Sequence, residues 1–169
     1  TLFIHHYAKS SARIELDGKA VSIDQDTLYP ADGNVNIKIT GACGKMVAIR
    51  IPGWCQQYKI ETSDKEDISD IKNGYAYIDV TSDEFTITAE FSMPVVLIES
   101  SPHVRENAGK VAVMRGPLVY CAEAVDNGDD LFALSLDSSL EGAAVEAADD
   151  WLNTLVLKGR RKTAPGGAL

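Results

Sequence analysis

Strict alternation of apolar and polar residues is the feature that most limits the folds open to this chain. The segments NVNIKIT (Asn34 to Thr40) and FTITAEF (Phe85 to Phe91) place successive side chains on opposite faces of a strand. Asp17-Gly18 and Asn73-Gly74 separate other alternating segments and suit two-residue hairpin turns. Short strands at regular spacing between turn signals predict an all-β fold, an antiparallel, jelly-roll-like β-sandwich.

Further strands are predicted by the same pattern, and two segments break it. The predicted strands are SARIEL, KAVSIDQ, MVAIRI, Gln57 to Glu61, YAYIDV, VAVMR, PLVYCAEAV, LFALSL and LNTLVLKGR. Pro94, inside FSMPVVLIES, indicates an edge strand, a bulge or a crossover between sheets. Residues Ala143 to Trp151 are rich in Ala and Glu, which favours a short helix there.

A polar stretch containing proline, Ser100 to His103, is the best candidate for a domain boundary. It predicts a first β-sandwich unit over residues 1–100 and a second β-rich unit over residues 101–169, packed on the first. One sandwich, or two consecutive units of which the second is incomplete, both fit the pattern.

The formal net charge of −9 argues against nucleic acid and anionic membranes as partners. Apolar runs stay well below the roughly 20 residues of a membrane helix, so we expect a soluble chain without a targeting segment, in a compartment the sequence does not identify. Because it opens on TLFIHHYA without Met, we expect an excised fragment. The basic cluster Lys158 to Lys162 beside TAPGGAL is typical of a solvated terminus.

Metal and nucleophile chemistry is not indicated. Three cysteines are too few for a disulfide framework. A Cys43–Cys55 disulfide is conceivable if the strands that carry the two residues are neighbours. We expect instead that all three cysteines, Cys121 included, are buried free thiols. His5 and His6 should point to opposite faces of a strand, one toward the core and one outward, and His103 stands apart from both.

Acidic residues suggest chemistry only weakly. The loop Asp126 to Asp130 lacks the ligand spacing of a helix-loop-helix calcium site, and we expect a solvated turn. Glu99, Glu106 and Glu123 are single glutamates of a kind common on β surfaces. The sequence therefore predicts no catalytic, cofactor-binding or metal-ligating residue in this chain.

Aromatic side chains are the remaining route to a binding function, because sugar rings stack on Trp and Tyr. The candidates are Trp54, Tyr29, Tyr58, Tyr75 and Tyr77. Tyr75 and Tyr77 share one face of a strand. Two such residues more often form a pair in the core than a platform for a sugar. Trp54 is expected to cover the end of a sheet or to contact another domain.

Four segments in fixed order resemble glycoside hydrolase family 127, the β-L-arabinofuranosidase-like family. They are QDTLYPADGNVNIKI (Gln25 to Ile39), RIPGWC (Arg50 to Cys55), FSMPVVLIES (Phe91 to Ser100) and GKVAVMRGPLVYCAEAVDN (Gly109 to Asn127). The resemblance implies β-sandwich domains that follow an upstream α/α barrel, which holds a cysteine nucleophile, a glutamate and a zinc ion bound mainly by cysteines. No catalytic residue carries over, since the zinc-cysteine motif of the family would precede Thr1. Zinc is thus implied only for the barrel.

Three functions are open to such a chain. In the first, the chain is a non-catalytic accessory region of a glycoside hydrolase, bracing the missing barrel or mediating assembly, including a homo-oligomer. The alternative is a carbohydrate-binding module that recognises plant-type glycans through exposed aromatic residues. An independent enzyme is the least favoured, because it requires paired carboxylates or a metal that the sequence does not indicate.

Overall fold

The chain divides into two compact units, Thr1–Met93 (unit 1) and Pro94–Leu169 (unit 2). The computed structural model describes residues 1–64, 68, 70–137, 139–140, 143–147 and 153–161 of the 169. The division precedes the strand that starts at Val95, whereas the sequence placed it beyond that strand, at Ser100 to His103. Pro94 lies between two strands of different sheets, so of the three predicted roles it has that of a crossover.

Unit 1 is a sandwich of two sheets. Its strands are β1 (Leu2–Ile4), β2 (Ser10–Leu16), β3 (Lys19–Thr27), β4 (Asn34–Thr40), β5 (Met46–Arg50), β6 (Tyr58–Thr62), β7 (Ile71–Lys72), β8 (Tyr75–Asp79) and β9 (Glu84–Phe91). One sheet has the order β1-β5-β8-β7 and the other the order β2-β3-β4-β9-β6. All neighbours are antiparallel except β1 and β5, which run parallel. The predicted all-β sandwich is confirmed.

Both predicted hairpins form, because the residues at their turns tolerate a left-handed backbone. Asp17 (φ 52°) and Gly18 (φ 75°) connect β2 to β3. Asn73 (φ 53°) and Gly74 (φ 77°) connect β7 to β8. Positive φ at two consecutive residues gives the turn whose twist matches that of the flanking strands.

The core of unit 1 lies between its sheets and is built from alternate residues of each strand. β9 shows the rule most clearly, with every second residue from Phe85 to Phe91 buried and the others exposed. The largest fully buried side chains are Phe85, Phe91, Ile37, Ile39, Ile49, Ile87, Val21, Val35, Val47 and Val80. Removing their apolar surface from water is the main term that stabilises this unit.

Unit 2 consists of small sheets. Its strands are β10 (Val95–Glu99), β11 (Val111–Arg115), β12 (Leu118–Tyr120), β13 (Leu134–Leu136), β14 (Ala144–Ala147), β15 (Asn153–Val156) and β16 (Gly159–Arg161). They pair as β10-β11-β12, β13-β16 and β14-β15, all antiparallel. A short helix, α1 (Ala124–Asn127), follows β12.

Several expectations for unit 2 need correction. The strand expected over PLVYCAEAV ends at Tyr120 and gives way to α1, and Leu131–Ala133 forms a 3-10 turn before β13. The helix expected from Ala143 is wrong for Ala144–Ala147, which form β14, since Val145 pairs with Leu155 in a strand ladder. Trp151, Lys162 and the TAPGGAL end lie outside the described residues.

Candidate functional site

The outer surface of the four-stranded sheet carries a cluster of rings, Phe3, His5, Tyr75 and Tyr77, called here the aromatic face. Their neighbours along β1 and β8, including Ile4 and Ile78, point the other way into the core. Because side chains alternate along a strand, Phe3, Tyr75 and Tyr77 project away from the sandwich interior. His5, which follows the end of β1, joins them through ring contacts with Phe3 and Tyr75. Phe3 is 44% exposed. The expectation of a core pair for Tyr75 and Tyr77 is therefore wrong; both are half-buried on the outside.

The rings contact one another, in all but one pair edge to face. Phe3 lies 5.6 Å from Tyr75 and 6.2 Å from Tyr77 between ring centroids, both at nearly right angles. The Phe3 and His5 rings are close to parallel, 5.7 Å apart. Such pairs stabilise by about 0.5–1.5 kcal/mol beyond the area that they bury. The rings therefore hold each other in place on the sheet.

A small residue beneath the rings makes these contacts possible. Ala48 lies in register between Phe3 on β1 and Tyr77 on β8, so the three residues form one row across the sheet. Ala48 is fully buried although it is absent from the core cluster, because the two rings on either side close over it. A larger side chain there would separate Phe3 from Tyr77.

Polar groups border the aromatic face. The His5 Nδ1 and the Tyr75 hydroxyl lie 2.8 Å apart, within hydrogen-bond distance. Arg50 pairs with Tyr75 across β5 and β8, is exposed, and therefore projects on the same side of the sheet. Lys72, which pairs with Tyr75 from β7 and is also exposed, projects on this side as well. The face thus combines ring surface with two cations, Arg50 and Lys72, and a hydroxyl-imidazole pair.

The expectation for the histidines is wrong in one respect. His5 and His6 are both exposed, and neither enters the core. β1 ends at Ile4, so the alternation that would direct one of them inward does not continue through both residues. Tyr7, instead, is the buried side chain that follows.

A second ring cluster packs on the core of unit 1. Tyr7 contacts Tyr29 and Phe91, and Tyr29 stacks on Trp54 with 6.5 Å between centroids. Trp54 and Tyr29 are half-buried and pack against the core. The Tyr7 hydroxyl donates a hydrogen bond to the backbone oxygen of Arg50. Burial raises the pKa of Tyr7 well above its ordinary value.

The cysteines are free thiols, and the Cys43–Cys55 bridge does not form. Cys43 and Cys121 are exposed, so the expectation of burial is wrong for both. Cys121 is exposed because β12 ends one residue before it. Cys55 is half-buried, its Sγ lies 3.0 Å from the Gln57 carbonyl oxygen, and desolvation raises the pKa of its thiol. A thiol kept protonated is a poor nucleophile.

The acidic residues singled out by the sequence lie on the surface. Glu99, Glu106 and Glu123 are all exposed, as are the residues from Asp126 to Asp130. Within the described ranges, His, Cys, Asp and Glu do not gather in groups of three or more that could hold a metal ion. The zinc implied by the family resemblance therefore has no ligand set among these residues. In the same part of the chain, no helix is both long enough and apolar enough to cross a membrane.

Sequence reasoning missed Phe3, His5 and Arg50 as members of one surface. The signal was present in the spacing, since Phe3 and His5 lie two residues apart in a strand pattern, as Tyr75 and Tyr77 do. The sequence pattern does not show that β1 lies beside β5 and β5 beside β8. This strand order brings Phe3 and His5 close to Tyr75 and Tyr77.

Two family models match the chain, and they meet near the junction of the two units. The model described as "Beta-L-arabinofuranosidase, GH127 middle domain" matches residues 1–93. The model described as "Glycoside hydrolase family 127 C-terminal domain" matches residues 95–157. A curated relative, the non-reducing end β-L-arabinofuranosidase of Bifidobacterium longum subsp. longum, is 33% identical over 155 residues, covering 88% of this chain and 23% of the relative.

Solved structures agree in fold and extent. A GH127 β-L-arabinofuranosidase from Geobacillus stearothermophilus T6 is 41% identical with a TM-score of 0.77, over 93% of this chain and 26% of that one. Another, described as a GH127 β-arabinofuranosidase, shares the fold with a TM-score of 0.78 at 24% identity, over 93% of this chain and 31% of its own. The chain thus spans about a quarter to a third of these relatives. Its sequence, its two units and their order place it in glycoside hydrolase family 127, of which it covers the middle and C-terminal domains.

Proposed function

We propose that this chain is the non-catalytic accessory region of a longer GH127 β-L-arabinofuranosidase, bracing the catalytic domain that precedes it. The observation that carries the proposal is the match of residues 1–93 to a domain described as the middle one of a β-L-arabinofuranosidase. A middle domain has another before it, and the relatives are three to four times longer than the share this chain matches.

The local chemistry is consistent with this role. Among the described residues, the groups whose pKa values shift mainly through burial are Tyr7, which holds the backbone of Arg50, and Cys55, whose thiol stays protonated. Neither change prepares a nucleophile or a general acid for work near neutral pH. Zinc and the catalytic cysteine and glutamate belong, on this proposal, to the preceding domain.

The test uses the full-length parent enzyme and a chromogenic β-L-arabinofuranoside. In one set of variants, the candidate residues of this chain are replaced singly: Cys43→Ser, Cys55→Ser, Cys121→Ser, Glu99→Gln, Glu106→Gln and Glu123→Gln. We expect the parent to hydrolyse the substrate and each variant to keep its kcat. A large fall in kcat in a variant with unchanged thermal stability would show that this chain takes part in catalysis, and an inactive parent would refute the proposed substrate.

Bracing is tested separately, by weakening the core of unit 1 in the same parent. Phe85→Ala should lower the temperature at which activity is lost while leaving kcat at low temperature unchanged, because the catalytic groups lie elsewhere. Phe132→Ala, at a fully solvated ring in unit 2, is the matched control. If Phe85→Ala unfolds unit 1 but leaves the inactivation temperature of the enzyme unchanged, the sandwich does not brace the catalytic domain.

A further inference from the structure

The two outer surfaces of the unit 1 sandwich differ in chemistry. The five-stranded sheet presents Lys, Glu, Asn and Thr to solvent, with ion pairs between Lys38 and Glu84 (3.1 Å) and between Lys59 and Glu61 (2.7 Å). The four-stranded sheet presents the aromatic face. Charged and Thr-rich outer strands suit water, whereas grouped aromatic rings bordered by an arginine are typical of the buried centre of an interface.

We propose that the aromatic face, Phe3, His5, Tyr75 and Tyr77, is the surface on which the preceding domain of the same polypeptide docks. This inference rests on the proposed function, which supplies that domain. It goes further by assigning the contact to one sheet and one side of the sandwich.

The position of the face along the chain selects this occupant. Phe3 lies in β1, at the start of the region that matches the family's middle domain. On the proposed function, the preceding domain joins the chain ahead of β1, the strand that carries Phe3. Attachment through the polypeptide raises the effective concentration of the two surfaces, so even a modest contact area stays occupied.

The chemistry of the face defines what the docking surface should offer. Ring edges and faces of Phe3 and Tyr77 require an apolar counterpart, and the exposed guanidinium of Arg50 suits a carboxylate. Ala48, already covered by its two neighbours, needs no further partner. The preceding domain should therefore present an apolar patch with an acidic residue at its border.

Hydroxyl-radical footprinting of the full-length parent, read by mass spectrometry, tests the assignment without altering the fold. We expect Phe3, which is 44% exposed in this chain, to oxidise several-fold more slowly, after correction for the intrinsic reactivity of each ring, than Tyr58, which is 38% exposed in the five-stranded sheet. The difference should persist on dilution and without added sugar. Equal rates overturn the proposal.

Two further outcomes would assign the face to another occupant and also overturn the proposal. Protection that disappears on dilution identifies a second copy of the chain. Protection that appears only with arabinofuranosyl oligosaccharides identifies a carbohydrate site. Hydrolysis of the chromogenic arabinofuranoside is measured on the same samples, so that a protected but inactive parent refutes the proposed function while the docking surface stands.

Discussion

Unit 1 and unit 2 are both made of short antiparallel strands joined by turns, yet they differ in what those strands enclose. Unit 1 packs two sheets against each other, and ten of its large side chains are almost completely shielded from water. In the described part of unit 2, Val113 is the one buried hydrophobic side chain, while Val119, Val125 and Phe132 are 66, 85 and 98% exposed. Strand pairing alone leaves apolar surface in water; a second layer is needed to remove it.

The three-stranded sheet of unit 2 illustrates the difference. In β10 and β12, Leu97 and Tyr120 lie on one side with Val113, and Val96 and Val119 lie on the other. Both sides are apolar, as in a sheet that is covered twice. The Tyr120 hydroxyl is buried and lacks a hydrogen-bond partner among the residues described. In the described part of unit 2, this sheet therefore leaves apolar surface in water that a second layer would remove.

Separating the units gives the largest expected difference. A fragment of residues 1–93 should unfold in urea as one cooperative transition, because its core lies within it. A fragment of residues 94–169 should change gradually, without a transition, because it buries too little apolar surface to offset the entropy of ordering its chain. Circular dichroism follows both. A sharp transition in the second fragment would contradict the comparison.

Matched substitutions of phenylalanine sharpen the comparison within the whole chain. Phe85→Ala removes a ring that is 1% exposed and should lower the free energy of unfolding by about 3–5 kcal/mol. Phe132→Ala removes a fully solvated ring and should change it by less than about 0.5 kcal/mol. Urea denaturation measures both. Comparable losses would mean that Phe132 is packed in solution.

A glycine at the edge of the unit 1 core should show a smaller effect. A Cβ added to Gly33 would meet the backbone oxygen of Phe91, whose N–H donates to the Gly33 carbonyl at 2.9 Å. Gly33→Ala should therefore cost roughly 2 kcal/mol, since backbone on both sides must shift.

Gly53→Ala is the control for this substitution, because an added Cβ there meets open space. It should change the urea midpoint little. Equal midpoints for the two variants would show that β9 moves aside without cost.

Alkaline titration should give the smallest effect, and again in unit 1. Because burial raises the pKa of Tyr7 above its unfolded value of about 10, the folded state holds the proton more tightly. Its contribution to stability is complete below about pH 10 and is lost as the pH rises further. Tyr7→Phe should reduce this alkaline decline while costing about 1 kcal/mol at neutral pH through the lost hydrogen bond to Arg50.

Urea unfolding between pH 8 and about pH 11 measures the slope, with Tyr58→Phe, at an exposed ring, as control. If the wild-type chain and Tyr7→Phe lose stability equally above pH 10, ionisation of Tyr7 does not contribute.

The strands of unit 1 were predictable because the alternation of apolar and polar residues and the turn residues lie within each local segment. NVNIKIT forms β4 at its predicted bounds, and Asp17-Gly18 forms its predicted turn, since both depend on neighbouring residues. Unit 2 was predicted less well. The segment Ala144–Ala147 forms β14 because Val145 pairs with Leu155. Local propensity cannot predict this pairing, since Leu155 lies outside the segment.

The aromatic face was only half predictable. The spacing of Tyr75 and Tyr77 shows that they share one side of β8, but not which side faces the other sheet. That choice is made by Ala76 and Ile78, which join the core through contacts with strands distant in sequence. Membership of Phe3 depends likewise on the pairing of β1 with β5.

The parallel pairing of β1 with β5 also bears on the order of folding. Leu2, Phe3 and Ile4 meet Val47, Ala48 and Ile49 only after β2, β3 and β4, which belong to the opposite sheet, have been traversed. The hairpins close small loops, whereas this contact closes a long one and costs more chain entropy. We therefore expect β1 to dock after the transition state, with low φ-values for Phe3 and Ile4, so that the aromatic face is among the last surfaces of unit 1 to be completed.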